Sequence, residues 1–467
     1  MKELQYSRNI PIEDGYDVVV AGGGPAGCAA AITAARLGVK VLIIEALGCL
    51  GGMGTSGLVN TMGPLGHINN MLLGGFVREL YDKLLEKGYI NGWDTQDRNK
   101  DRSYFVWQPF DSEGLKLVLD EYMQKENVEV RFFTQVIDVE RDKNDLQING
   151  VIVSNVDGIR CIKAKAFIDC TGDAILSGKA NVEFLNDDKP MPPTLMALLG
   201  GLRWNEMDDY LQYGQPKNQQ AIVDKAVEEG YFTFPDRHVP GIFIGPGNMG
   251  ILNAGHVFDM NPLNNKSLSN GMMLGRKQVQ EYVNFFKTHF EGFENIQAAC
   301  TATLMGVRDS RRIKGEYCLN IEDYKRKAKF HDQVCLNAQD VDLHVRDCSK
   351  EEYARFHKEF FETYHYAPHE YYGIPYGVMV PKDSKNLWVA GRSVCVDTKV
   401  HASMRMMPVC YALGQAAGTA AVIAIKNGQS ACNLDTEQLV VSLRKQGAIL
   451  PQETLKKEMT KSSEIKL

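Results

Sequence analysis

The chain has 467 residues, of which 44% are hydrophobic and 24% charged, and its formal net charge is -6. A chain of this length is expected to bury enough hydrophobic core for two or three domains. The acidic balance, with a pI near 6.0, excludes a basic surface for nucleic acid or an anionic membrane. No apolar run approaches the roughly 20 residues needed to span a bilayer. Residues 1–17 lack the apolar stretch of a secretory signal.

The eleven cysteines are scattered along the chain, and several lie inside apolar segments. This distribution is typical of reduced thiols in a cytoplasmic protein and not of a disulfide framework. No Cys-x-x-Cys pair occurs, which argues against a redox-active disulfide and against a cysteine-ligated iron–sulfur cluster. We therefore expect a cytoplasmic protein without a bound metal.

A strand, a glycine turn, a helix and a second strand follow one another between residues 17 and 45. The run 17–21 is short, apolar and β-branched, as in a strand buried on both faces. The turn Gly22-Gly23-Gly24-Pro25-Ala26-Gly27 has the spacing G-x-G-x-x-G, in which the glycines allow a tight turn, a close approach of pyrophosphate and close helix packing. Helix formers at 29–37 and a second strand at 39–44 complete a dinucleotide-binding unit.

Glu45 stands at the end of the second strand, where a carboxylate accepts hydrogen bonds from a ribose 2′-OH. A second loop of small residues, Ala46 to Gly57, follows directly. A nicotinamide dehydrogenase normally continues into its third strand and helix at this point. The second loop therefore favours a long cofactor that lies flat against the backbone.

In these motifs the chain resembles the FAD-dependent oxidoreductase family, within the glutathione-reductase-type flavoproteins, which carry E-x(5)-GG after the ribose acid. The resemblance reappears at Asp169–Asp173, at Gly306–Arg312 and in a long C-terminal block. It implies an α/β fold, in which a Rossmann-like FAD-binding domain of the glutathione-reductase type holds an inserted α+β substrate domain. It also implies FAD, bound non-covalently, as the cofactor.

The resemblance further implies which residues contact FAD. The T-G-D turn closes over the adenosine end, and the helix after Met406 brings its N-terminus to the pyrimidine edge of the flavin. The predicted FAD-binding residues are Gly22, Gly24, Pro25, Ala26, Gly27, Glu45, Ala46, Gly51, Gly52, Met53, Thr55, Ser56, Val136, Thr171, Gly172, Asp173, Gly391, Arg392, Met407 and Gln415.

The remaining elements follow from periodicity and turn signals. Helices are predicted at 72–88, 111–127, 268–290 and 406–427. Strands are predicted at 128–156, with a turn at Asn149-Gly150, and at 164–169 and 386–392. Segment 93–110 is a predicted loop. The prolines at 190, 192 and 193 mark a boundary. The domain prediction is 1–189 and 371–430 for FAD binding, 190–370 for substrate, and 431–467 for a helical tail.

Four residues are candidates for catalysis. Arg308 and Arg405 carry charge suited to a carboxylate or phosphate. His401 and Tyr376 are candidates for proton transfer, His401 because its ordinary pKa lies near neutrality. His67 and His256 are further candidates for neighbours of the flavin ring. Each has a structural alternative: an ion pair for the arginines, and packing for the histidines and tyrosine.

The leading interpretation is hydride transfer between flavin N5 and a small polar substrate, for which an anion is one candidate class. The electron donor or acceptor is unknown, because no second complete nucleotide motif is present. Two alternatives stay open at the level of sequence. They are isomerase or lyase chemistry without net redox change, and modification of RNA, against which the acidic pI argues.

Overall fold

The computed structural model describes residues 4–67, 69–90, 104–142, 146–186, 189–203 and 218–451. Its strands are β1 (Ile12–Glu13), β2 (Val18–Ala21), β3 (Val41–Ile44), β4 (Thr61–Met62), β5 (Gly66–His67), β6 (Asn70–Met71), β7 (Gln108–Pro109), β8 (Glu129–Arg131), β9 (Gln135–Arg141), β10 (Ile148–Asn155), β11 (Gly158–Lys163), β12 (Ala166–Asp169), β13 (Ala197–Gly200), β14 (Gly241–Ile244), β15 (Gly250–Asn253), β16 (Gln297–Thr301), β17 (Gln333–Asn337), β18 (Tyr372–Pro375) and β19 (Leu387–Val389).

The helices are α1 (Pro25–Arg36), α2 (Phe76–Glu86), α3 (Ser112–Lys125), α4 (Ile175–Lys179), α5 (Gln219–Glu228), α6 (Asn265–His289), α7 (Ile321–Lys325), α8 (Lys350–His357), α9 (Thr398–Met404), α10 (Met407–Asn427) and α11 (Thr436–Lys445). Short 3₁₀ turns cover Gly52–Gly54, Pro246–Asn248, Tyr376–Met379 and Ala431–Asn433, and Lys358–Thr363 is π-helical.

A five-stranded parallel sheet in the order β19-β12-β2-β3-β8 is the centre of the fold. Strands β2, β3, β12 and β19 are buried on both faces, which explains why they read as continuous apolar runs, whereas the edge strand β8 is partly exposed. One face packs against α1 and α10, and the other against a sheet in the order β1-β11-β10-β9. The nucleotide-binding unit predicted at 17–45 is therefore present, in a mixed α/β protein with a Rossmann-like sheet.

A third sheet, which is antiparallel, has the order β14-β15-β13-β16. Together with α5 and α6 it surrounds a separate cluster of buried side chains that is rich in phenylalanine, including Phe285, Phe286 and Phe293. All of these elements lie between residues 197 and 301, inside the range predicted for a substrate domain. The domain division itself stays a prediction.

Most predicted elements are present, with shifted ends. Helix α1 begins at Pro25, before the predicted residue 29, and α2 begins at Phe76 because Gly75 adopts a positive φ of 66°. Helix α6 starts after Asn264, whose side chain accepts a hydrogen bond from the Ser267 N–H. Parts of the loop at 93–110 and of the tail at 431–467 lie outside the described residues, but α11 belongs to that tail.

The turn predicted at Asn149-Gly150 is wrong. Both residues lie inside β10, where the pairing with β9 shifts register between Ile148 and Gly150. A Cβ at Gly150 would lie 2.6 Å from Sγ of Cys161, so glycine allows the close approach of β11. The hairpin turn comes later, between Asn155 and Gly158.

Helix α10 has the length and mean hydropathy of a membrane span, but 94% of its most apolar window is buried inside the protein. It packs along α1 in the main core. This burial accounts for its composition, because a helix enclosed by protein is apolar all round.

Candidate functional site

A cavity of about 1500 Å³ runs along the carboxyl ends of the parallel strands and continues beside the sheet β14-β15-β13-β16. It begins at the glycine turn after β2 and reaches Asn253 at the end of β15 and Phe356 in α8. Ligands of parallel sheets bind at this edge, outside the carboxyl ends of the strands. The cavity is therefore the candidate site.

The glycine turn leaves open space at the start of α1. A Cβ at Gly22 would lie 2.5 Å from the Cys170 carbonyl oxygen, and one at Gly27 would lie 1.8 Å from the Gly22 carbonyl oxygen. The Gly24 position, by contrast, has its nearest neighbour at 4.0 Å and faces the cavity. Gly24 is also the N-cap of α1 and has no side-chain cap, so the first N–H groups of the helix are available to an anion.

Glu45 lies on the cavity wall directly after β3 and is 9% exposed. One carboxylate oxygen accepts the Gly23 N–H at 2.6 Å and the other accepts the Leu47 N–H at 2.8 Å. Burial raises the pKa of Glu45, although these backbone donors act in the opposite direction. Each oxygen keeps a second lone pair, so the carboxylate can still accept a ligand hydroxyl.

Most of the residues predicted to bind the cofactor line the cavity. They are Gly22, Gly24, Pro25, Ala26, Glu45, Ala46, Gly52, Met53, Val136, Thr171, Gly172, Asp173, Gly391, Arg392 and Met407. These residues come from elements as distant in sequence as α1 and α10. The fold therefore brings the predicted set together along one continuous wall.

Five of the predicted cofactor residues lie behind that wall: Gly27, Gly51, Thr55, Ser56 and Gln415. They shape the loops that form it. The Gly51 N–H donates to the Gly23 carbonyl, and the Thr55 hydroxyl donates to the Leu50 carbonyl. Gln415 accepts the Phe76 N–H at 3.0 Å, so its amide connects α10 to the start of α2.

The T-G-D turn and the A-G-R strand end meet at one side of the cavity. Asp173 accepts hydrogen bonds from Arg392 and from the Ser310 hydroxyl, each at 2.6 Å. Gly172 has a φ of 78°, and the guanidinium of Arg392 lies beside it. The ion pair between Arg392 and Asp173 therefore holds the T-G-D turn against the end of β19.

The N-terminus of α10 also reaches the cavity, through Met406, Met407 and Cys410. No side chain caps this helix end, and Pro408 lies in its first turn. The helix has 21 residues, so its N–H groups and dipole favour negative charge at this place. A second anion-favouring helix end therefore faces the same cavity as α1.

Arg308 also lines the cavity. Its guanidinium donates to the Pro192 carbonyl and, at 3.2 Å, to the Thr194 hydroxyl, both of which are neutral acceptors. Burial, and then the nearby Arg405, lower the pKa of Arg308 to about 9. Arg311 and Arg312, its neighbours in the sequence, do not line the cavity. The structure thus selects Arg308 from the three arginines.

Arg405 lines the cavity next to Asp342 and donates to its side chain at 2.7 Å and to its carbonyl at 3.0 Å. Burial opposes ionisation of Asp342, but His344 and Arg405 hold the pKa of its carboxyl well below the usual range. Arg405 is therefore already paired with a carboxylate. Of the two arginines predicted to carry charge for the substrate, Arg308 is the one without such a pair among the described residues.

His401 does not line the cavity. It is 1% exposed, and its Nε2–H donates to the Arg392 carbonyl at 2.9 Å. Burial, followed by Arg312 and Arg405, lowers the pKa of this histidine well below its ordinary value, so the ring is neutral. The interior position that lowers its pKa also keeps it away from a substrate, and proton transfer by His401 does not fit this geometry.

Tyr376 is likewise a core residue. Its hydroxyl donates to the Ala431 carbonyl and accepts the indole N–H of Trp388, both at 2.8 Å. Burial raises the pKa of this phenol far above its usual value. The predicted role as proton donor does not fit, because the hydroxyl is fully used and the residue does not line the cavity.

Four polar residues near Arg308 also face the cavity and were not predicted from the sequence: His238, Asp340, Asp342 and His344. Asp340, Asp342 and His344 alternate with the buried residues Val341, Leu343 and Val345. That alternation is a signal visible in the sequence, since residues two apart in extended chain face the same side. His238 carries no comparable local signal.

The model of the family described as FAD dependent oxidoreductase matches residues 17–443. The chain belongs to the FAD-dependent oxidoreductase family. It is an enzyme of that family, and its cofactor is FAD. The match extends over the whole central parallel sheet, over the sheet β14-β15-β13-β16 and over every part of the cavity wall described above.

Comparisons with individual proteins are more limited. The chain is 55% identical to dihydrolipoyl dehydrogenase from Trypanosoma brucei brucei over 47 residues, which are 10% of each chain. Two solved structures resemble it at 13% identity. A geranylgeranyl bacteriochlorophyll reductase-like protein from Thermoplasma acidophilum has a TM-score of 0.49, with 96% of this chain and 90% of that chain covered. A p-nitrophenol 4-monooxygenase from Pseudomonas putida has a TM-score of 0.45, with coverages of 93% and 85%.

The cavity fits FAD on the evidence of its own wall. Gly24 gives open backbone beside an uncapped helix N-terminus for a pyrophosphate, and Glu45 keeps lone pairs for a ribose hydroxyl. The uncapped end of α10 favours a ring system that becomes negative. When bound, FAD supplies the redox chemistry, and the protein orients substrate, balances charge and moves protons.

Proposed function

We propose that the protein is a glutathione-reductase-type FAD-dependent oxidoreductase that transfers a hydride between flavin N5 and a small anionic metabolite. In this proposal residues 190–370 form the inserted substrate domain. The direction of transfer stays open between oxidation of an alcohol, an amine or a saturated bond and the reverse reduction. The cytoplasmic location also stays a prediction from the sequence.

An anionic substrate is proposed because of the hydrogen-bond partners of the buried Arg308 guanidinium. Its guanidinium donates to a carbonyl and a hydroxyl, and no carboxylate among the described residues forms an ion pair with it. A buried cation is costly unless an opposite charge compensates it. A carboxylate or phosphate of the substrate, in the cavity that Arg308 lines, would supply that charge.

The neighbouring charges support an anion at Arg308. Arg405 and Asp342 compensate each other, with 2.7 Å between their charged atoms. Asp340 has its own partner in His365, at 2.9 Å. His238 is neutral, since burial and then His256 lower its pKa to about 4. Asp342 and Asp236 favour the charged form of Arg308 from a distance. Among the described residues neither forms an ion pair with it, so its guanidinium can pair with a substrate anion.

The test is anaerobic mixing of the FAD-loaded protein with matched pairs of small molecules, each an acid and its neutral amide, while the flavin absorbance is followed. We expect acids to bleach the flavin, or to reoxidise the reduced flavin, and the amides to do so poorly. Arg308→Gln should weaken binding of the acid roughly 10- to 100-fold, the value of a charge-assisted hydrogen bond.

Arg326→Gln is the matched control, because Arg326 is an exposed arginine paired with Asp323 and remote from the cavity lining. It should leave the reaction with the acid unchanged. Equal reaction of acids and amides, or equal binding of the acid by wild type and Arg308→Gln, would contradict an anionic substrate. Turnover without any change of flavin redox state would instead favour isomerase or lyase chemistry.

A further inference from the structure

The part of the cavity beside the sheet β14-β15-β13-β16 is uncharged. None of the described residues that line the cavity between positions 194 and 307 is Asp, Glu, Lys or Arg. His238 is the one histidine among them, and it is neutral at pH 7 because burial, and then His256, lower its pKa to about 4. We call this part of the cavity the apolar compartment, after six of the side chains that line it: Met196, Phe243, Leu268, Met272, Met305 and Val307. Its polar members are uncharged: Thr194, Asn253 and Thr303.

The wall of the apolar compartment is the edge of one hydrophobic cluster, to which all six side chains belong. Helix α6 supplies Leu268 and Met272, which are one turn apart and therefore share a face of the helix. A Cβ at Gly275, on the next turn, would lie 2.7 Å from Cβ of Leu195, which is buried in the same cluster. The glycine thus lets α6 pack closely against the cluster, and its two apolar side chains extend the cluster to the cavity.

Apolar side chains of this wall are partly uncovered. Phe243, Leu268, Met272 and Val307 pack against the cluster but are only half-buried. Covering them with a hydrocarbon group of a ligand is favourable, because it removes apolar area from water. The cavity measures about 1500 Å³, whereas a site for one small molecule has roughly 300–1,000 Å³. The cavity therefore has room for a second molecule beside FAD.

Arg308 stands at the edge of the apolar compartment. It directly follows Val307, and its guanidinium donates to the Thr194 hydroxyl at 3.2 Å. The other arginines of the described cavity wall, Arg392 and Arg405, are already paired with carboxylates. One cation therefore remains for one negative charge, which matches a carboxylate better than a doubly charged phosphate.

We propose that the substrate is an amphipathic carboxylic acid, whose carboxylate pairs with Arg308 and whose hydrocarbon body lies in the apolar compartment. This deepens the proposed function and rests on it only for the anion at Arg308. The observation specific to the new inference is the uncharged, half-buried wall beside that arginine. A sugar acid of equal length binds poorly there, because each hydroxyl that meets an apolar wall loses its hydrogen bonds to water.

The composition of the wall determines how strictly the hydrocarbon body is selected. Three of the six apolar side chains are methionines, which are unbranched and flexible and pack against groups of differing shape. Selection should therefore act on polarity more than on shape. Straight-chain and phenyl-substituted acids of similar size should both bind, whereas hydroxylated acids should bind weakly.

The first experiment measures binding without turnover, by calorimetric titration of the FAD-loaded protein under anaerobic conditions. Hexanoate and gluconate are matched in carbon number and charge, but every carbon of gluconate outside the carboxylate carries a hydroxyl. Hexanoate should bind at least roughly 10-fold more tightly. From butanoate to octanoate the affinity should rise roughly two- to fourfold per methylene group. Gluconate binding as tight as that of hexanoate, an affinity independent of chain length, or no detectable binding of octanoate would overturn the inference.

The second experiment locates the hydrocarbon body. Met272→Gln replaces an apolar side chain of the compartment by a polar one of similar size. It should weaken octanoate binding roughly 3- to 10-fold and leave acetate binding unchanged. Met273→Gln is the matched control, because Met273 is the next residue of α6, is 57% exposed and does not line the cavity. Equal octanoate binding by the two variants would refute the placement, and the chain-length series in the wild-type protein tests the inference even if Met272→Gln does not fold.

Failure of this inference and failure of the proposed function give different results. If hexanoate and hexanamide bind equally, no anion is held at Arg308 and both proposals are wrong. If acids bind more tightly than amides and this preference depends on Arg308, but gluconate matches hexanoate, only the amphipathic substrate is wrong.

Discussion

Glu45 and Arg308 are both charged groups of the cavity wall, and they differ in how far sequence alone could locate them. Glu45 follows β3 directly, and its oxygens accept N–H groups only 2 and 22 residues away. Arg308 donates to residues 116 and 114 positions away. Local geometry therefore predicts the position of Glu45. The environment of Arg308 depends on how a distant segment packs.

The same dependence on packing explains why two of the catalytic candidates, His401 and Tyr376, do not line the cavity. His401 and Tyr376 lie close in sequence to cavity residues, at Met406 and Met407 for the first and at Arg392 for the second. Helix α9 and the 3₁₀ turn at Tyr376–Met379 direct both side chains into the core. Nearness along the chain does not determine the side to which a side chain points.

Tyr376→Phe tests the structural role of this hydroxyl. The substitution leaves the Trp388 indole N–H and the Ala431 carbonyl without their partner, which costs about 1–3 kcal/mol of unfolding free energy. We expect a lower midpoint in urea unfolding and an unchanged rate of flavin reduction. A large loss of rate in a protein of normal stability would instead restore Tyr376 as a catalytic residue.

At the scale of elements, the crossing of α1 and α10 depends on small residues. A Cβ at Gly414 would lie 2.0 Å from the Ala26 carbonyl oxygen, and one at Gly418 would lie 2.4 Å from that of Ala30. These contacts are with backbone, which cannot move aside without shifting the helix. Because the N-termini of both helices line the cavity, their separation also sets the shape of the cofactor site.

Gly418→Ala should therefore lower both stability and FAD affinity. Overpacking costs about 1–3 kcal/mol, which exceeds the gain of about 1 kcal/mol in helix propensity. The matched control is Gly271→Ala in α6, where the new methyl group meets the flexible side chain of Met260. Thermal unfolding and fluorescence titration with FAD measure both effects. Equal results for the two variants would contradict the importance of the helix crossing.

Elements with strong local patterns were predictable, and elements defined by pairing were not. The strand–turn–helix unit at residues 17–45, α6 and α10 carry their own periodicity, caps and glycines. The turn at Asn149-Gly150 failed because its meaning depends on the neighbouring strand β11, which approaches Gly150 closely. Asn-Gly favours a turn in isolation, but here neither residue adopts a positive φ, and the glycine instead allows the close approach of Cys161 in β11.

At the scale of the whole molecule, the cavity wall joins segments from all parts of the chain. The glycine turn comes from the first tenth of the sequence, Arg308 from about two-thirds of the way along it, at residue 308 of 467, and Met407 from near its end. The FAD half of this wall was predictable, because family motifs mark it. The half formed by His238, Asp342 and His344 was not, because distant segments of the chain bring these residues together, as in the contact between the rings of His238 and His344.

A ligand that contacts segments so far apart should stabilise the whole fold. Adding FAD to the apoprotein at 100 times its dissociation constant should raise the free energy of unfolding by about 2.7 kcal/mol. Riboflavin, which lacks the pyrophosphate and adenosine, should stabilise the protein less at the same concentration. Differential scanning calorimetry measures both. An equal effect of the two ligands would mean that the glycine turn and Glu45 contribute nothing to binding.

The central sheet has a consequence for synthesis of the protein. Strand β12 pairs with β19, and Phe167 faces Leu387 across that pair, while the alanine-rich face of α1 is covered by α10. A ribosome must therefore add more than two hundred residues after β12 before its outer edge is closed. During that interval the nascent chain exposes an apolar helix face and an unpaired strand edge. We therefore expect chaperones to bind the nascent chain during translation.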